Sequence, residues 1–196
     1  VMSNIEWFKY CWVWEKNIST GFSHCANMPL KNYEDVAVFS NGIIQHKQLT
    51  EKRMNYNPQG LQIYRKINHR GSKGFSGTME RKSQSNTHET EYTNYPRMIL
   101  RFNGEVNTVH PTQKPVDLLA YLIRTYTNEG ETVLDNTMGS GSTIVAAIQE
   151  GRRAIGIEQD AGYFQIAQKR CEEATYQPSL FTQPAEEYQT AAMFGG

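Results

Sequence analysis

The stretch Leu134-Asp-Asn-Thr-Met-Gly-Ser-Gly-Ser-Thr143 follows a short β-prone run, Thr132 to Asp135, turns through two glycines and leads into the apolar run Ile144 to Ile148. A strand that passes through glycines into a helix turns backbone N–H groups outward, and such a turn cradles an anionic group. On the C-terminal side the pattern predicts a helix through Ile144 to Glu150, a second strand, Ala154 to Glu158, and a helix capped by Asp160. In that last helix Tyr163, Phe164, Ile166, Ala167, Arg170, Cys171 and Ala174 recur so that the apolar members share a face. On the N-terminal side Pro115 suits a first helical turn, and Val116, Leu119, Ala120, Leu122, Ile123 and Tyr126 recur at three- and four-residue steps. The order β-α-β-α predicts the α/β class, with a mostly parallel sheet assembled from both ends of the chain.

Glu158 lies 23 residues after Asp135, the place from which an acidic side chain takes a ribose diol in nucleotide-binding folds. The dinucleotide fingerprint is incomplete, however. Its third glycine falls near Ile144, and Asp135 before the turn repels a pyrophosphate. An aspartate there suits a cationic amine. S-adenosylmethionine offers an ammonium, a carboxylate, a sulfonium and a ribose, and so matches these residues better than NAD.

The 196 residues, 38% of them hydrophobic, suffice for one ordinary globular core. The longest wholly apolar run, Ile144 to Ile148, is far below the ~18 residues of a membrane helix, so a soluble, cytoplasmic protein without a membrane partner is expected. Cys11, Cys25 and Cys171 sit at unrelated spacings, which indicates no disulfide framework, and His24-Cys25 with Cys11 lacks metal-ligand spacing. Net charge is zero but unevenly spread: residues 1–127 carry 16 Lys and Arg against 10 Asp and Glu, residues 128–196 only 4 against 10. Between Lys47 and Lys82 nine basic residues meet only Glu51 and Glu80, a pattern that suits either a polyanion or a solvated surface.

Trp12, Val13 and Trp14, then Val36 to Phe39, predict two strands within residues 1–45. Trp12 and Trp14 share a face, which favours core packing over stacking on a base; Phe22, Tyr33 and Phe39 are open to either reading. Residues 46–108 have turn chemistry and little periodicity, with Asn55-Tyr-Asn-Pro58 reading as a turn, so a basic, loop-rich insertion is expected. Arg152-Arg153 reads as a solvated turn, and 178–196 as a flexible tail.

His110-Pro-Thr-Gln-Lys-Pro115, the Leu134 to Thr143 stretch, Gly156-Ile-Glu158 and Tyr163-Phe164 together resemble the C-terminal half of a DNA amino-methyltransferase of the permuted "beta" order. Trp12-Val-Trp-Glu-Lys16, Met28-Pro29 and Tyr33 to Phe39 are similar to the segments that precede its recognition region. The resemblance implies a Rossmann-like, S-adenosylmethionine-dependent fold divided into remaining catalytic strands (1–45), a target-recognition insertion (46–108), a donor-binding region (109–177) and a tail (178–196). It implies donor contacts from His110, Thr112, Lys114, Asp135, Asn136, Met138, Gly139, Ser140, Gly141 and Ser142, and a ribose contact from Glu158. For duplex DNA it implies Lys52, Arg53, Arg65, Lys66, Arg70 and Lys73. The activity implied is methylation of an exocyclic amine, adenine N6 before cytosine N4, in a bacterial or phage setting.

Two departures stand out. The family's Asp-Pro-Phe is Asp135-Asn136-Thr137 here, and its Asp/Asn/Ser-Pro-Pro-Tyr catalytic tetrad occurs nowhere in the 196 residues. The chain therefore reads as the later part of such an enzyme, truncated at its N-terminus, with no catalytic residue of its own to name. The alternatives are an inactive donor- or DNA-binding fragment, a homodimer, and a fragment completed by a partner that carries the tetrad.

Overall fold

The computed structural model describes residues 4–44, 52–69, 87–105 and 108–176. Instead of the one core that chain length suggested, the chain divides into two compact units: 1–104 with 124–127, and 105–123 with 128–196.

In the first unit β1 (Phe8–Thr20) pairs antiparallel with β2 (Lys31–Phe39) and parallel with β5 (Ile99–Arg101). Alternation along β1 puts Trp12 and Trp14 on one face, and both are core residues, 3% and 4% exposed. Val38 and Leu100 are buried as well. The Trp14 indole N–H donates to the Phe102 carbonyl at 2.9 Å, so its polar edge is satisfied while its rings are buried. Truncating either tryptophan to Ala is expected to cost about 3–5 kcal/mol. Phe22, Tyr33 and Phe39 are exposed.

The expectation of a loop-rich region over 46–108 is corrected within the described residues. It contains β3 (Gln62–His69) and β4 (Thr87–Thr93), paired antiparallel, as well as β5. Register slips between Ile63 and Lys66, where Arg65 adopts a φ of +35°. A bulge leaves one residue unpaired, which explains why strict alternation fails in the sequence. Ile63, Tyr64 and Ile67 are exposed on this ribbon.

In the second unit β6 (Thr132–Asp135) and β7 (Arg153–Gly156) run parallel, joined by α2 (Ser142–Gln149), and α3 (Ala161–Tyr176) follows. The predicted β-α-β-α order is thus present, preceded by α1 (Val116–Tyr126), whose last residues group with the first unit. Ala120, Ile123, Ala146 and Ala147 form a core cluster against which Val116, Leu119, Val133 and Ala154 pack. The opposite face of the strand pair carries Leu134, Ile155 and Ile157, which are 61%, 54% and 53% exposed. The single sheet expected from both chain ends is also corrected: the described strands form three separate sheets, β2-β1-β5, β3-β4 and β6-β7. Arg153 belongs to β7 rather than to a solvated turn, and its Nε donates to Gly130 O at 3.1 Å. Among the described residues no helix is long and apolar enough to cross a membrane, no His, Cys, Asp and Glu group could hold a metal, and the three cysteines are free.

Candidate ligand site at the Gly-Ser-Gly turn

The turn after β6 is built by its own backbone. Ile157 N–H donates to Asp135 O at 2.9 Å and Met138 N–H to Ile157 O at 3.0 Å, which carries the chain across the end of β7. Gly141 caps α2 at a φ of +79°, where a Cβ would lie 2.9 Å from that of Ala167 on α3. Only glycine accepts both the left-handed backbone and that approach. At Gly156 a Cβ would fall 2.9 Å from Ile144 Cγ1, so the residue that breaks the dinucleotide fingerprint packs over the strand instead.

A cavity of about 210 Å³ opens at this turn. Of the donor residues expected from sequence, His110, Thr112, Lys114, Asp135, Met138, Gly139, Ser140 and Ser142 line it. Gln113, Leu119, Thr137 and Thr143 line it too, without having been singled out, whereas Asn136, Gly141 and Glu158 are not among its lining residues. The walls thus carry one carboxylate, Asp135, and one ammonium, Lys114.

Three amides of the turn are taken up within the protein. Thr137 N–H donates to Asp135 Oδ1 at 3.1 Å, Gly139 N–H to Glu158 Oε2 at 2.8 Å and Gly141 N–H to Met138 O at 2.8 Å. Those donors are used within the protein, because a tight turn that buries its backbone must satisfy it locally. Glu158 Oε1 also accepts the Asp160 N–H at 2.9 Å. That bond is the main cause holding the carboxyl below the usual carboxylate range; desolvation opposes it and the Gly139 N–H reinforces it.

Three further residues hold the turn. Arg170 on α3 donates from Nη1 to Ser140 O at 2.7 Å, Ser140 Oγ at 2.9 Å and Ser142 Oγ at 3.2 Å. Ser140 Oγ donates to Gln113 Oε1 at 3.0 Å, and Gln113 Nε2 donates to Glu105 Oε2. Glu105 Oε1 in turn accepts the Val116 N–H at 3.2 Å, at the start of α1. His110 stands edge-on to Tyr163 with ring centroids 4.4 Å apart, and its Nδ1 accepts the Thr112 N–H at 3.2 Å. In sequence, Arg170 shows only as a cation on a helix that follows the turn.

Of the six expected DNA contacts, Lys52 and Arg53 are exposed, Arg53 bridging to Ile43, and Arg65 and Lys66 are exposed on β3. Arg70 and Lys73 lie outside the described residues.

Comparison with known proteins places this geometry. A DNA methylase family model matches residues 3–169. The chain is 51% identical over 63 residues to the type II methyltransferase M2.DpnII of Streptococcus pneumoniae, covering 32% of this chain and 24% of that protein. It is 42% identical over 67 residues to the DNA adenine methyltransferase YhdJ of Escherichia coli (strain K12), covering 34% and 23%. These matches thus span about a quarter of the length of either relative. Among solved structures, the M1.HpyAVI-SAM complex superposes with a TM-score of 0.50 at 26% identity, over 83% of this chain and 61% of that one. The α/β architecture is therefore the Rossmann-like methyltransferase fold, and the chain belongs to the DNA methylase family.

Proposed function

We propose that this chain supplies the donor-binding and DNA-recognition parts of an S-adenosylmethionine-dependent DNA methyltransferase that modifies an exocyclic amine, adenine N6 in preference to cytosine N4. The observation that carries the reading is the cavity beside Gly139, whose walls present the Asp135 carboxylate and the Lys114 ammonium together. That pair is complementary to the ammonium and carboxylate of an α-amino acid, which S-adenosylmethionine has and NAD lacks. Asp135, Lys114, Thr112, Ser140 and Ser142 would hold the methionine part. When bound, S-adenosylmethionine supplies an electrophilic methyl group on a sulfonium. His110, packed on Tyr163, walls the cavity, and Glu158, held against the turn by the 2.8 Å bond to the Gly139 N–H, would serve the ribose.

The recognition insertion, 46–108, holds duplex DNA through Lys52, Arg53, Arg65, Lys66, Arg70 and Lys73 by neutralising phosphates. An exocyclic amine is a poor nucleophile because its lone pair is delocalised into the ring. An acceptor must take up its hydrogens and the base must be turned out of the stack. None of the described residues fills that role, so transfer requires an Asp-Pro-Pro-Tyr segment, carried upstream or on a partner. The setting is the cytoplasm of a bacterial or phage-infected cell, in restriction-modification or as an orphan enzyme.

Tritium transfer from labelled S-adenosylmethionine to DNA tests the reading in two arms. The 196-residue chain is expected to bind the donor without appreciable transfer, and adding the tetrad segment is expected to restore transfer. Absence of donor binding would overturn the proposal. Robust transfer by the 196-residue chain would show that an acceptor elsewhere replaces the tetrad.

A further inference from the structure

Helix α1 ends at Tyr126-Thr-Asn-Glu129, without a glycine directly after it to close its last turn. The last four carbonyls of any α-helix lack intrahelical partners. Here a segment about seventy residues upstream takes three of them. Asn57 N–H donates to Thr125 O at 2.7 Å, and Asn57 Nδ2 donates to Arg124 O at 3.2 Å and to Thr127 O at 3.1 Å. Asn55 Nδ2 donates to Tyr126 O at 3.2 Å.

Between these two asparagines, Tyr56 packs on the Tyr126 ring with centroids 6.2 Å apart. The Tyr126 hydroxyl accepts the Trp12 indole N–H and shares a 2.9 Å hydrogen bond with Tyr10. Asn55-Tyr-Asn-Pro58, which reads as a turn in sequence, is therefore a helix cap supplied from a distance by the recognition insertion. Side-chain amides suit it because a carboxylate of the same size offers acceptors only.

The other end of α1 starts at Val116, directly after the His110 to Pro115 turn that lines the donor cavity. We propose that Asn55 and Asn57 are positioning residues that fix the recognition insertion to α1, so that DNA held by the insertion and donor held at the turn tighten each other's binding. The inference rests on the functional reading above. A helix is a rigid element eleven residues long here, and a cap that is made or broken at one end changes how firmly that element is held.

The test is calorimetric titration of S-adenosylmethionine into the full chain, with and without a saturating short duplex of randomised sequence at low salt. The wild type is expected to bind donor about fivefold more tightly with the duplex, and reciprocity requires the same factor for DNA with donor. Asn57→Ala, and Asn57→Asp at unchanged size, are expected to bring that factor close to one, with donor affinity in the absence of DNA within about twofold of wild type. An unchanged factor in both variants overturns the proposal, as does a wild type that binds both ligands without coupling. A loss of binary donor affinity in both variants overturns it in favour of a purely structural cap. If the wild type binds no S-adenosylmethionine, the functional reading itself fails, which the first titration reports separately.

Discussion

The Glu158 carboxylate, two residues past the end of β7, accepts the Gly139 N–H at 2.8 Å across 19 residues of sequence and joins that stretch to the middle of the glycine turn. Its other oxygen takes the Asp160 N–H, so one side chain holds both the turn and the start of α3. Because these bonds favour the ionised form, the folded pKa is lowered. The stability Glu158 contributes is therefore fully present above the unfolded carboxylate pKa and is lost as pH falls through the folded value. Thermal unfolding of wild type and Glu158→Gln should show the wild type more stable near neutral pH, the gap starting to close as pH falls into the usual carboxylate range and vanishing once it passes the lowered folded value. A gap that stays constant down to about pH 3 would show that the charge is not what matters.

Asp135 lines the cavity as its one carboxylate, and its Oδ1 already accepts the Thr137 N–H. Asp135→Ala is expected to weaken S-adenosylmethionine binding by about 1.5–3 kcal/mol, the worth of a hydrogen bond to a charged group. Asp135→Asn preserves the turn bond and is expected to lose the ammonium interaction alone. Calorimetric affinity unchanged in both variants would place the ligand elsewhere.

Arg170 reaches three oxygens of the Gly-Ser-Gly turn through one nitrogen. Arg170→Ala is expected to destabilise the chain by about 1–3 kcal/mol, since it leaves polar groups of buried Ser140 and Ser142 without this donor. Arg170→Lys should recover only part of that, because an ammonium on a flexible stem does not reproduce the guanidinium geometry. Equal melting temperatures for all three proteins would reduce the interaction to a surface coincidence.

Salt dependence reads out the recognition insertion. Alanine at Arg65, Lys66, Arg70 and Lys73 is expected to lower DNA affinity and to flatten the slope of log K against log salt by about one for each phosphate that is no longer neutralised. If neither quantity moves, these side chains form a solvated face and the DNA lies against other residues.

What was legible in the sequence was local. Asp135 to Ser142 could be read because glycine placement, the acidic residue before the turn and the apolar run after it all lie within fourteen residues, and Trp12 with Trp14 because alternation marks a buried face. Pairings set by distant partners were not legible. Ile99 lies beside Val13, 86 residues away, and has only three residues of strand to announce it. The β3-β4 ribbon hid behind the Arg65 bulge. Asn55 and Asn57 show turn chemistry in sequence because amides that cap a helix and amides that make a turn are the same residues. Three of the turn amides are used by Asp135, Met138 and Glu158, which composition alone does not reveal.

The exposed row of Leu134, Ile155 and Ile157 has a practical bearing on how folding of this chain is to be judged. Dyes that fluoresce on apolar surface are commonly used to recognise a molten globule. A β6-β7 pair with that face in water should bind such a dye while its other face, around Ala146 and Ala147, remains natively packed. Dye fluorescence from a freshly purified sample therefore says nothing against a folded state, and near-ultraviolet circular dichroism from the buried tryptophans Trp12 and Trp14 is the signal that does.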